Sequence, residues 1–230
     1  MIELEKLANI VDHTLLKADA TKEGFEQLCK EADEYGFKMV AINSYPVAMC
    51  REFLKDSKVH VGAAIGFPLG QTTIETKVFE VQDAIKNGTD EIDYVINIGK
   101  LKDGDSEYIR QEMKAIVNAS REGGILSKVI LENCYLTDAE KVTVCEIAKE
   151  VKPDFVKTST GFGTGGATVK DVALMKKVVG DEVKVKAAGG IRDLETALKM
   201  VEAGAERLGT SSGIKIIEEY KKTKNRGVEK

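Results

Sequence analysis

Apolar residues along this chain gather into short β-branched runs, and a longer stretch with helical spacing of its apolar positions follows each run. The runs lie at 10–13, 39–42, 60–65, 91–95, 128–131, 155–157, 183–187 and 207–210. The helical stretches lie at 21–35, 47–55, 72–87, 106–122, 138–150, 168–179, 194–203 and 214–221. The runs are almost continuously apolar, as parallel strands are when helices cover their outer face. Local punctuation agrees with this reading. Thr21 ahead of Gly24, and Asp105 before Ser106-Glu107, fit helix N-caps. Gly36, Gly88 and Gly204 stand just past helical stretches, where a left-handed residue is wanted.

Eight strand–helix repeats without a break in composition predict one α/β domain, a single (β/α)8 TIM barrel. Its expected span is 1–220, followed by a basic, flexible tail over 221–230 that reads as solvated chain. The main alternative, an open doubly wound sheet, calls for a glycine-rich turn after the first strand. Here that turn reads HTLLKADAT.

Composition removes several function classes. The 230 residues are 43% hydrophobic and 31% charged, a soluble globular balance. Net charge is −4 with signs interspersed and no Trp, which argues against a nucleic-acid partner. The apolar runs are too short for a membrane span, and MIELEKLANIVDHTLL lacks the order of a signal peptide, so the expected location is cytoplasmic. The two histidines, His13 and His60, and four cysteines without a C-x-x-C pair are a poor ligand set. No metal and no cofactor are therefore expected, and of Cys29, Cys50, Cys134 and Cys145 the three within helical stretches, Cys29, Cys50 and Cys145, read as buried reduced thiols.

Function in a barrel of this kind sits at the C-terminal ends of the strands. The polar residues expected to close the apolar runs there are Asp12, Lys157 and Lys186, with Asp93 inside strand 4 and Glu132 just past strand 5. Lys157, in DFVKTSTG, could by itself be a rim lysine reaching for water. Lys186, in VKVKAAGG, closes the next strand at the same level and changes that balance. Two ammonium groups in a partly desolvated site depress each other's pKa, and a free amine is what imine formation requires. The spacing leaves open which lysine attacks. Asp93, in DEIDYVIN, is either a proton relay for the pair or a structural ion-pair partner. Asp12 has the weaker case. Lys184 shares the parity of Lys186 and would turn a further charge inward unless it emerges at the lower rim.

Three glycine and hydroxyl clusters follow the last three strands: TSTGFGTGGAT, AAGGIRD and GTSSG. Glycines let backbone N–H groups crowd an anion, and helices starting near Asp193 and Ser212 add partial positive charge. A small phosphorylated substrate is expected there. Arg192 reads as the partner in a surface salt bridge.

Together DHTLLKADAT, GFPLG, EIDYVIN, KVILE, FVKTSTGFGTGGAT, VKAAGGIRD and GTSSG resemble the deoxyribose-phosphate aldolases from about residue 10 to about residue 215. The resemblance implies reversible cleavage of 2-deoxy-D-ribose 5-phosphate to acetaldehyde and D-glyceraldehyde 3-phosphate, in deoxyribonucleoside catabolism. It also implies that Lys157 forms the Schiff base, with Lys186 as the second lysine and Asp93 as the proton relay. Expected substrate contacts are Asp12, Thr158, Thr160, Gly161, Gly189, Gly190, Ser211 and Ser212. Three departures stand out. The last tyrosine is Tyr220, where some members end in a tyrosine-bearing tail; Ala187 replaces a frequent proline; Ala41 replaces a cysteine found in some members.

Rival readings are another Schiff-base aldolase or a transaldolase, a sugar-phosphate isomerase that needs no imine, and a non-catalytic barrel that binds a phosphorylated ligand. A homo-oligomer, dimer or tetramer, is the expected assembly.

Overall fold

The computed structural model describes residues 2–228. Its strands are β1 (Val11–Thr14), β2 (Met39–Asn43), β3 (His60–Ile65), β4 (Glu91–Val95), β5 (Leu126–Ile130), β6 (Phe155–Lys157), β7 (Lys184–Ala188) and β8 (Arg207–Thr210). Every neighbouring pair is parallel, and β8 returns to β1 with Asp12 opposite Gly209, so the sheet closes into a barrel. The (β/α)8 expectation is met.

The helices are α1 (Leu4–Ala8), α2 (Lys22–Tyr35), α3 (Val47–Phe53), α4 (Ile74–Lys86), α5 (Ile98–Lys102), α6 (Ser106–Glu122), α7 (Asp138–Val151), α8 (Val169–Val179), α9 (Leu194–Glu202) and α10 (Gly213–Val228). The periodicity missed α1 and α5. Each has five residues, little more than one turn, so no period can register. The last helix extends to Val228, so the segment expected as tail is helical that far; residues 229–230 lie outside the described residues. Among the described residues no helix is long and apolar enough to cross a membrane.

Capping fixes where the helices begin. Thr21 accepts from the N–H of Gly24, Asp105 from that of Tyr108, and Thr137 and Glu140 form a reciprocal capping box. Helices that follow parallel strands start at the C-terminal mouth of the barrel, so their partial positive ends gather there.

Period-two alternation divides each strand between two compartments. The outward side chains, among them Val40, Ile42, Val61, Ala63, Ile92, Val129, Val156, Val185 and Leu208, pack under the helices as the apolar core. Burying each of the valine, isoleucine and leucine side chains contributes about 1.5–3 kcal/mol. The inward side chains are different. Asp12, Glu91, Asp93, Lys128, Lys157, Lys186 and Arg207 are all buried, so the barrel interior is largely ionic. Alternation explains how apolar-looking strands deliver that interior.

Lys184 stays exposed at the start of β7, with Nζ 5.6 Å from the Phe155 ring centroid. It emerges at the lower rim and places no charge inside the barrel.

Candidate active site

Strand register sets the geometry of the ionic interior. Lys157 on β6 pairs with Lys186 on β7, and Asp93 on β4 pairs with Lys128 on β5. Asp93 is the common acceptor. Its Oδ2 takes hydrogen bonds from Lys157 Nζ at 2.7 Å and Lys186 Nζ at 2.6 Å, and its Oδ1 from Lys128 Nζ at 2.9 Å. Asp12 forms an ion pair with Lys186 at 2.5 Å and accepts from Arg207 Nε at 2.8 Å. Deeper in the barrel, Glu91 accepts from Arg207 at 3.0 Å, pairs with Lys128 at 2.5 Å and meets the His60 ring at 2.7 Å.

Three carboxylates thus face four cationic side chains, leaving one cation in surplus in a desolvated space. The surplus falls on Lys157. Burial, helped by Lys186 and Lys128 and opposed by Asp93, pushes its ammonium down to about 8. For Asp93 burial acts upward, but the ammonium groups of Lys128, Lys157 and Lys186 outweigh it and hold the carboxyl well below the usual range. Burial would likewise strip the proton from Lys128, yet Asp93 and Glu91 raise its pKa. Lys128 and Asp93 therefore remain charged near neutrality, while Lys157 is poised to lose its proton.

A cavity of about 560 Å³ opens over this cluster, and Lys157 is the one of the three lysines that reaches its wall. Asp93 and Lys186 lie beneath it. Around the mouth stand Thr160, Gly161, Gly189, Gly190, Ser211 and Arg192. Backbone conformation explains the glycines here: Gly161, Gly189 and Gly190 take φ of 92°, 84° and 78°, a region side chains disfavour. The β6–α8 and β7–α9 loops also touch at backbone level, since the N–H of Ala167 donates to the carbonyls of Ala188 and Gly189, both at 3.0 Å. Among the described residues no group of three His, Cys, Asp or Glu side chains is placed to hold a metal ion.

A paired-lysine floor under a glycine-lined mouth suits covalent capture of a small phosphorylated carbonyl compound. Residues 6–219 match the model of the DeoC/LacD family aldolases. The chain belongs to the DeoC/LacD aldolase family.

Its relatives include the deoxyribose-phosphate aldolase of Lactobacillus acidophilus, 59% identical over 95% of this chain and 92% of that one. The deoxyribose-phosphate aldolase of Thermococcus kodakarensis is 57% identical over 93% and 96% of the two chains. Among solved structures, the tetrameric deoxyribose phosphate aldolase of Aeropyrum pernix superposes with a TM-score of 0.90 at 32% identity, covering 96% and 93% of the two chains. As an aldolase of this family the chain is an aldehyde-lyase.

The structure gathers Lys157, Lys186 and Asp93 at one point, and it sorts the other expected contacts. Thr160, Gly161, Gly189, Gly190 and Ser211 line the cavity. Asp12 does not. It lies inside β1, fully buried, and its carboxylate is occupied by Lys186 and Arg207. Thr158 is also fully buried and staples β6 to β7 through Ala188, donating to its carbonyl and accepting from its N–H, both at 3.1 Å. Ser212 stands off the wall, its N–H turned to Thr210 Oγ1 at 2.8 Å. Arg192 is corrected in the other direction, for it lines the cavity and forms no ion pair among the described residues.

Sequence reasoning missed Glu91, Lys128 and Arg207. Their signal was charge at the inward parity of a strand, but all three lie at the N-terminal ends of the apolar runs, away from the end where function is expected. Glu132 was seen, though not its use. At a left-handed φ of 57° it turns its carboxylate onto the N–H and hydroxyl of Thr160, which orders the loop bearing Gly161.

Proposed function

We propose that this chain reversibly cleaves 2-deoxy-D-ribose 5-phosphate to acetaldehyde and D-glyceraldehyde 3-phosphate through a Schiff base on Lys157. The observation that carries this reading is a buried lysine on the cavity wall with its ammonium lowered to about 8, 2.7 Å from Asp93. At pH 7 such a lysine is about one-tenth free amine, against less than a thousandth for an ordinary lysine. The names of its relatives support the choice of sugar.

The amine of Lys157 adds to C1 of the open-chain sugar, and loss of water leaves the protonated imine. The C3 hydroxyl then gives up its proton and the C2–C3 bond breaks. Its electron pair passes into the C1–N unit as an enamine, and C3 leaves as the aldehyde carbon of D-glyceraldehyde 3-phosphate. Protonation of the enamine at C2 and hydrolysis of the resulting imine release acetaldehyde and restore the amine. Asp93 and Lys186, bonded to each other at 2.6 Å beneath Lys157, form the relay that gives and takes these protons. The iminium nitrogen is the electron sink, so the scheme calls on no metal and no cofactor. The phosphate sits over Gly161, Gly189, Gly190 and Ser211, with Arg192 at its edge.

This activity belongs to the cytoplasmic breakdown of deoxyribonucleosides, and the Aeropyrum pernix tetramer supports a homo-oligomeric assembly. Borohydride trapping tests the mechanism. Incubation with deoxyribose 5-phosphate or acetaldehyde, reduction and peptide mapping should place a substrate-dependent adduct on Lys157 that is absent from Lys157→Leu. Activity that survives reduction without any adduct would sink the imine and favour an isomerase.

A further inference from the structure

Buried acids in this protein have cationic partners, with one exception. Asp12, Glu91, Asp93, Glu112 and Asp171 each pair with a lysine or arginine. Glu132, 2% exposed, forms no ion pair among the described residues. A buried carboxylate without a cation is costly unless hydrogen bonds satisfy it. Glu132 also holds φ at 57°, a region that residues other than glycine seldom enter. Two costs at one position point to a job that offsets them.

The carboxylate is turned onto one neighbouring loop. Its Oε1 and Oε2 accept from the N–H of Thr160 at 3.2 and 3.3 Å, and Oε2 accepts from the Thr160 hydroxyl as well. That hydroxyl accepts in turn from the N–H of Phe162 at 3.0 Å, while its one proton is committed to Glu132. Gly161 therefore lies between two residues held by the same network. Two positions on, Gly163 passes so close that a Cβ would meet Cys134 Sγ at 2.6 Å and Glu132 Cδ at 3.1 Å. Thr160, Gly161 and Phe162 line the cavity, whereas Glu132 does not. The acid can thus act on a ligand only through the segment it grips. Lys157 is held separately, by Asp93 and by the staple of Thr158 to Ala188.

We infer that Glu132 is a positioning residue that selects phosphorylated substrates, by fixing residues 160–162 in the conformation that receives the phosphate. A loop ordered in advance loses less freedom when the anion binds. The inference rests on the aldolase reading for its reaction, and on the Glu132–Thr160–Phe162 network for its site. The imine chemistry at Lys157 does not depend on it.

The test compares 2-deoxy-D-ribose 5-phosphate with 2-deoxy-D-ribose as substrates of the wild type, Glu132→Asn, Glu132→Gln and Thr160→Val. Asparagine tolerates the left-handed backbone and is one methylene too short to reach Thr160. Glu132→Asn should raise the KM for the phosphate ester about fivefold to tenfold, the worth of about one buried hydrogen bond. Its kcat/KM for 2-deoxy-D-ribose should stay within about twofold of wild type, a change smaller than one such bond. The pH profile of borohydride trapping with acetaldehyde should be unchanged. Glu132→Gln keeps one acceptor and should fall between. Thr160→Val should match Glu132→Asn, and combining the two should add less than about twofold, because both break one network. A readout free of turnover is the Kd of inorganic phosphate by titration calorimetry, which should rise with the KM. If Glu132→Asn does not fold, Glu132→Gln carries the same comparison.

A common loss on both sugars would make Glu132 merely structural and overturn the inference. So would an unchanged KM for the phosphate ester, an unmoved phosphate Kd, or additive losses in the double variant. Should the wild type cleave neither sugar, the proposed activity fails, and the phosphate Kd of the variants then decides the role of Glu132 by itself.

Discussion

Asp93→Asn separates the two jobs assigned to this carboxylate, holding the proton on Lys157 and relaying protons during turnover. Asp93 stands 2.7 Å from Lys157 Nζ, and at that separation two charges at an effective dielectric of about 20 interact by about 6 kcal/mol. A quarter of that energy already moves a pKa by about one unit. Asp93 raises the affinity of Lys157 for its proton, while burial, Lys186 and Lys128 lower it. Removing the carboxylate leaves the lowering influences unopposed, so the pKa of Lys157 should fall from about 8 to about 7 or below. The pH profile of borohydride trapping with acetaldehyde should shift downward by at least one unit, because more amine is free at each pH. Turnover of deoxyribose 5-phosphate should meanwhile fall by about 10²- to 10⁴-fold, the usual worth of a positioned proton donor or acceptor. The fold should survive, since Lys186 keeps Asp12 and Lys128 keeps Glu91. Loss of one partner from a buried pair still costs about 3–5 kcal/mol, to be read from urea melts. A trapping profile displaced upward toward ordinary lysine values, or turnover within threefold of wild type, would refute the reasoning.

Other consequences follow from the same geometry. In the wild type, kcat/KM should rise with pH through a limb near 8, because the proposed mechanism makes the free amine of Lys157 the reactive form; a flat profile between pH 6 and 9 would contradict the burial argument. Gly166→Ala should raise the KM for deoxyribose 5-phosphate at least tenfold, because a Cβ there would collide with the carbonyl of Gly189 and force the two mouth loops apart. Lys77 is wholly buried and donates to Gly70 O at 2.8 Å, Val95 O at 2.7 Å and Glu112 Oε1 at 2.5 Å. Lys77→Met should therefore cost about 3–5 kcal/mol in urea unfolding, with part recovered in the double variant that also carries Glu112→Leu.

Much of the fold could be read in one dimension because its causes are local. Strand runs, helical periods and cap residues depend on neighbours a few positions away, so eight repeats and their order were legible before any contact was known. The conspicuous site residues were legible for a related reason. An acid such as Asp93 inside an apolar strand is costly without a partner, and Lys157 and Lys186, closing neighbouring strands at one level, were the candidates. The family resemblance then singled out Lys157, which spacing alone could not do.

Only the tertiary structure decided which charges meet and which groups face solvent. Asp12 and Thr158 read as substrate contacts from sequence, yet closure of β8 onto β1 buries the first and the β6–β7 junction uses the second as a staple. Lys128 and Arg207 drew no attention as the first residues of two apolar runs, and only the register stacks them on Asp93, Glu91 and Asp12. The surplus of one cation, which leaves Lys157 poised to lose its proton, is a property of the closed barrel and of no single segment. Period and propensity are carried by the chain itself, whereas desolvation and pairing exist only once distant residues share a low-dielectric space.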